Sequence, residues 1–158
     1  MDKKPVGKKP SSSKTPKPQK IYPTSFQTVD IIVYSPIRNK VLIGRKKDRR
    51  KWVFPGGFVD PKDKSLEMAA CRELEEEVLG IMATSVKYVG SYRIDDPRYR
   101  GSPHKIMTAL FIASYVGDNP TAADDLVEVR WESLETLSKS VLKHHRVLAK
   151  ACIDFLHR

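Results

Sequence analysis

One stretch constrains this chain more than any other: SLEMAACRELEEEVL, from Ser65 to Leu79. It contains no Gly or Pro, Asp63 or Ser65 can cap its start, and Gly80 follows its end. It therefore predicts a helix. On that helix Leu66, Ala70, Glu73 and Glu77 fall on one seam, because residues three and four apart share a face. The first half of the seam is apolar and should point at a core. The second half is carboxylate, with Glu76 beside it and Glu75 adding a fourth acid to the run Glu73-Leu74-Glu75-Glu76-Glu77.

This arrangement is costly for a helix. Like charges at these spacings repel, the C-terminal half of a helix disfavours anions, and a core-facing seam is a poor place for a bare carboxylate. Two readings stay open on the residues alone. Either the helix end emerges into solvent, with Arg72 and nearby lysines neutralising it, or the carboxylates hold a cation. Oxygen-only ligands suit a hard ion such as Mg2+ or Mn2+.

The surrounding chain supplies a sheet. Ser25 to Tyr34 reads as a strand rich in β-branched and aromatic residues. A turn at Ser35–Asn39 and a second strand, Lys40 to Arg45, complete a hairpin. Trp52-Val53-Phe54 is a short apolar strand stopped by Pro55-Gly56-Gly57. Thr84–Ile94 and His104–Val116 read as long strands flanking the loop Asp95–Gly101, and Val127–Trp131 as another. Apolar residues recur at helical spacing from Ser140 to Leu156, predicting a closing helix. Strands, a helix, more strands and a last helix give an α/β fold, a mixed sheet covered on both faces.

The 158 residues suit one domain with an appendage, and no apolar run is long enough for a membrane span. Cys71 and Cys152, far apart and outside any C-x-x-C, suit a reduced cytoplasmic chain. The net charge of +10 suggests nucleic acid, but its distribution weakens that. Residues 1–20 hold seven lysines against Asp2 alone, with four prolines and almost no aliphatic side chains. They should form a disordered tail, either a solubilising extension or an electrostatic contact for nucleic acid. The tail has no apolar h-region and no arginine, which excludes a secretory signal and a transit helix. A second excess sits in Arg45–Lys51, and the remainder is nearly neutral.

From Gly57 to Ile81 the sequence resembles the Nudix box, a pattern of G, five residues, E, seven residues, then R-E-U-x-E-E-x-G-U with U aliphatic. Arg72, Glu73, Leu74, Glu76 and Glu77 match without a gap. Trp52-Val53-Phe54-Pro55-Gly56-Gly57 is similar to the family's W-x-x-P-G-G approach. Two departures stand out. Lys64 falls where the first glutamate belongs, with Asp63 a displaced carboxylate beside it, and one extra residue precedes Gly80.

The resemblance implies a Nudix α/β/α sandwich over residues 21–158 and hydrolysis of a nucleoside diphosphate linked to another group. It implies that Glu73, Glu76 and Glu77, with a backbone carbonyl near Gly57, ligate Mg2+ or Mn2+, and that Arg72 orients the glutamates. Glu76 or an acid of Asp124-Asp125-Leu126-Val127-Glu128 would be the base. The stretch Tyr92–Gly101, Ala123-Asp124-Asp125 before Glu128–Trp131, and Lys143–Arg146 resemble the branch acting on ADP-ribose. Arg98 and Arg100 would then clamp a phosphate, Tyr99 would stack on a base, and Arg45 with the basic run after it would either line the phosphate entrance or form a solvated hairpin loop. His144 and His145 read as helix surface and core edge. The partner implied is a small nucleotide, with a homodimer as a further candidate. The alternatives are a (d)NTP or oxidised-nucleotide pyrophosphatase, a non-catalytic nucleotide sensor and a nucleic-acid or cap-type hydrolase.

Overall fold

A computed structural model describes Lys20 and residues 22–158. Apart from Lys20, the expected tail lies outside the described residues. Strands β1 (Ser25–Ser35), β2 (Lys40–Lys46), β3 (Gly56–Phe58), β4 (Val78–Ile94), β5 (Lys105–Ala122) and β6 (Leu126–Ser133) form one sheet. Helix α1 (Leu66–Glu77) lies between β3 and β4, and α2 (Leu134–Ser140) and α3 (Arg146–Leu156) close the chain. The sheet order is β4-β5-β1-β2-β6, with β3 on β1; β1 and β5 run parallel and the other pairs antiparallel.

Alternation along the strands builds two cores. Val29, Ile31, Val33 and Leu42 pack with Ala69, Ala70 and Leu74 of α1. Ile32, Val41 and Ile43 pack with Leu134, Leu137, Leu148 and Cys152 of α2 and α3. The result is the α/β/α sandwich with a mixed sheet that the resemblance implies. Among the described residues no helix is long and apolar enough to cross a membrane.

Three expectations need correction. Trp52-Val53-Phe54 is not a strand but makes isolated bridges, Val53 to Gly44 and Trp52 to Val141. It threads between β2 and β1, and Ile31 N–H donates to the Pro55 carbonyl at 2.9 Å. The closing helix is broken rather than running from Ser140. Trp52 N–H donates to Ser140 O, and Leu142 N–H donates to Trp52 O at 2.8 Å. These bonds pull Val141 and Leu142 into extended backbone, and a 3-10 turn at Lys143–His145 precedes α3. Gly80 does not cap α1. The helix runs straight into β4 at Val78, and Gly80 sits inside that strand with φ of 85°. A Cβ there would meet the Asn119 carbonyl oxygen of β5 at 2.8 Å, so this close approach is what requires glycine.

Candidate active site

The site forms where α1, β3 and β1 meet. Ser65 caps α1, its hydroxyl accepting from Met68 N–H at 3.2 Å. The buried Ala69, Ala70 and Leu74 fix the rotation of the helix. That rotation turns Glu73 and Glu77 toward the sheet, where both line a cavity of about 550 Å³. The Glu77 side chain is only 3% exposed, whereas that of Glu76, on the outer flank, is 50% exposed.

Arg72 ties the acids together. Its Nε and one terminal nitrogen donate to Asp63 at 3.0 and 2.8 Å, and the other terminal nitrogen donates to Glu73 at 2.8 Å and Glu76 at 3.3 Å. A further bond reaches the Phe58 carbonyl at 3.2 Å. Asp63 thus supplies the carboxylate that Lys64 lacks. The Arg72 pair holds the Asp63 carboxyl below its ordinary range, and Asp63 in turn raises the guanidinium above its own.

Glu73 and Glu77 have the opposite perturbation. Burial pushes Glu73 up, against the pull of Arg72. Burial likewise pushes Glu77 up to about 7, although Gly56 N–H donates to it at 2.9 Å and the Lys46 ammonium lies 3.6 Å away. Asp63, Glu73, Glu76 and Glu77 share one guanidinium, Arg72, and one ammonium, Lys46, so the cluster carries more negative charge than these two cations neutralise.

Glycines make this proximity possible. A Cβ on Gly56 would collide with the Val29 carbonyl oxygen of β1. A Cβ on Gly57 would stand 2.5 Å from Glu73 Oε2. The Glu73 carboxylate is thereby seated directly on the Gly57 backbone. Glu73, Glu77 and a carbonyl near Gly57 form an oxygen-only donor set that suits a hard divalent ion. Glu76, held by Arg72 on the outer flank, does not line the cavity, and among the described residues no three His, Cys, Asp or Glu side chains already converge as a closed ligand set.

The residues expected at the substrate divide. Arg98 lines the cavity, held to Asp96 at 2.7 Å. Arg45 is turned to Glu128 at 2.8 Å and packs near Trp52, and Arg100 is exposed beside Asp95; neither lines the cavity. Asp124 and Asp125 line it and Glu128 does not. Tyr99 packs against Phe26 at 5.5 Å between ring centres rather than facing the cavity.

The basic run after Arg45, for which a phosphate entrance and a solvated loop were both open, places Lys46 and Arg49 in the cavity lining. Sequence reasoning missed Asp30, His144 and His145 as cavity residues. The histidines were masked by the apparent continuity of the last helix. Asp30, an acid in the middle of an apolar strand, was the visible signal that went unused.

The family model for the NUDIX domain matches residues 25–152, and the chain belongs to that family. It is 28% identical over 113 residues to an ADP-ribose pyrophosphatase of Methanocaldococcus jannaschii, a match covering 70% of this chain and 64% of the relative. It is 42% identical over 77 residues to a U8 snoRNA-decapping enzyme of Xenopus laevis, covering 49% of this chain and 35% of the relative. The chain thus spans less than two thirds of either relative. Among solved structures it is similar to the NUDIX domain of Shewanella oneidensis NrtR complexed with ADP ribose. That likeness has a TM-score of 0.68 at 21% identity and covers 92% of this chain and 95% of that one.

Proposed function

We propose that the chain is a divalent-metal-dependent pyrophosphohydrolase of a nucleoside diphosphate joined to another group, with ADP-ribose the substrate, cleaved to AMP and ribose 5-phosphate. The observation that carries this reading is the pair Glu73 and Glu77, desolvated at the edge of a nucleotide-sized cavity and seated against Gly56 and Gly57. The ADP-ribose pyrophosphatase relative and the ADP-ribose complex of a similar domain favour the substrate.

Glu73 and Glu77, with the Gly57 carbonyl and with Glu76 swung in from the outer flank, would hold the Mg2+ or Mn2+. Such an ion supplies charge neutralisation at the diphosphate and lowers the pKa of an attacking water. The chain's own groups do the rest. Arg72 fixes the directions of Glu73 and Glu76 while Asp63 holds Arg72. Lys46, Arg49 and Arg98 face the cavity and meet the phosphates. Glu76, half exposed and oriented by Arg72, would take the proton of the water, with Asp124 or Asp125 the alternative. Hydrolysis of a nucleotide panel with product identification tests the assignment, and Glu76→Gln against Asp125→Asn separates the two bases.

A second reading rests on the 77-residue match to the decapping enzyme and on the basic run at the cavity's edge. It makes a capped RNA 5′ end the substrate, and release of a nucleoside diphosphate from capped RNA distinguishes it.

A further inference from the structure

The cavity wall formed by β1, β5 and the 3-10 turn before α3 carries three polar groups with no part in the chemistry above. Asp30 of β1 is buried, and Thr108 of β5 donates to its Oδ2 at 2.6 Å. His145 turns Nδ1 toward Asp30 Oδ1 at 3.8 Å. That nitrogen is sealed from solvent and has no hydrogen-bond partner. A buried, unpaired ring nitrogen is unfavourable, and such groups in folded proteins call for an explanation.

The ring's surroundings narrow that explanation. Phe54 packs on one side with ring centres 6.0 Å apart, and His144 meets it edge-on at 4.9 Å. Ile94, Ile106 and Leu142 also line the cavity. Because Nδ1 is sealed and His145 nevertheless lines the cavity, the edge it presents there carries Nε2. The charged groups acting on it are Asp30 from β1, Asp96 from the loop after β4, Lys46 from β2 and neighbouring His144. Asp30 Oδ1, at 3.8 Å, is the acceptor that Nδ1 faces, and pairing with it would fix which nitrogen carries the proton. Nε2 is then left bare, a neutral hydrogen-bond acceptor facing the cavity.

We infer that His145, held in one tautomer by the Thr108–Asp30 pair, is a specificity-determining residue whose Nε2 accepts a hydrogen bond from an uncharged N–H or O–H donor on the nucleoside half of the substrate. This rests on the nucleotide reading of the same cavity and adds how the non-phosphate half is chosen. Asp30 acts through His145 and is a positioning residue. The carboxylate end of the cavity handles the diphosphate.

The test is binding of AMP and GMP to the full chain, with 15N NMR of the histidine rings. The expected result is that His145→Ala weakens the better of the two about tenfold, the size of one lost hydrogen bond, while His145→Gln, whose carbonyl can accept, keeps most of the affinity. The 2′-deoxy nucleotide and one lacking the exocyclic amine identify the donor. Whichever analogue matches the His145→Ala loss, and loses nothing further in that variant, lacks the group His145 holds. In mildly alkaline buffer the ring should show the Nδ1–H tautomer, and Asp30→Asn should shift it toward Nε2–H. AMP and GMP affinities unchanged in both His145 variants, or an Nε2–H ring in the unaltered chain, would overturn the assignment alone. Failure of the unaltered chain to bind either nucleotide would overturn it together with the nucleotide reading.

Discussion

Arg72 and Asp63 meet through two parallel hydrogen bonds of 3.0 and 2.8 Å, although the box pattern assigns no acid to position 63. The longer loop before α1 brings Asp63 back over the helix, with its own N–H donating to the Asp60 carbonyl at 2.9 Å. A bidentate carboxylate on Arg72 leaves the guanidinium one free edge, and that edge holds Glu73 and Glu76. Removing Asp63 should therefore cost activity through the orientation of Glu73. Groups that orient metal ligands typically contribute about 10- to 100-fold in metal affinity or activity, and Asp63→Ala should show a loss in that range. Lys64→Glu, which restores the letter of the pattern, should change little because Arg72 is already occupied. Steady-state kinetics at several Mg2+ concentrations checks both.

Gly57→Ala tests the seat of Glu73. The added Cβ would stand 2.5 Å from one carboxylate oxygen and 2.7 Å from its carbon. Relief requires the carboxylate to move, since the Gly57 backbone is paired to Val29 of β1. The expected outcome is a raised Mg2+ requirement with thermal stability nearly unchanged, read from a metal titration of activity and a melting curve.

Asp30 gives a pH dependence with a definite sign. Burial raises its carboxyl from 3.8 to about 7, outweighing the Thr108 hydrogen bond. A raised pKa means that folding favours the protonated form. Its contribution is complete below about pH 3.8 and is lost as pH rises to about 7, a change of about 4 kcal/mol. Asp30→Asn keeps an oxygen for Thr108 and carries no charge. The variant should be more stable than the unaltered chain above about pH 7, and its stability should vary less with pH. Denaturant melts across that window check it.

Much of this site was legible because the helix period is rigid. Once Leu66 and Ala70 are placed inward, Glu73 and Glu77 must follow, and they do. Glu76, one residue off the seam, comes out half exposed for the same reason. The β1 and β5 alternation gave both faces of the sandwich. What stayed hidden depends on contacts between distant segments. Trp52 breaks the last helix by bonding Ser140 and Leu142, across about ninety positions of sequence, and no local pattern reports it. That break turns His144 and His145 into the cavity. Arg45 shows the reverse, since Glu128, its cross-strand neighbour, takes it away from the site.

Glu77 gives a stability test with the same sign as Asp30 and a different partner. Its carboxyl, raised from 4.5 to about 7 by burial, favours folding when protonated and loses that contribution as pH rises through this window. Glu77→Gln should therefore raise the melting temperature of the chelator-treated chain above about pH 7. It should also abolish the further rise that Mg2+ gives the unaltered protein.

The central claim is that Glu73 and Glu77 hold a divalent ion for diphosphate hydrolysis. Incubation of the full chain with ADP-ribose and Mg2+, with products separated and identified, tests it most directly. The expected result is AMP and ribose 5-phosphate in equal amounts, absent with chelator and absent in Glu77→Gln. Equal turnover by Glu77→Gln, or turnover unaffected by chelator, would contradict it.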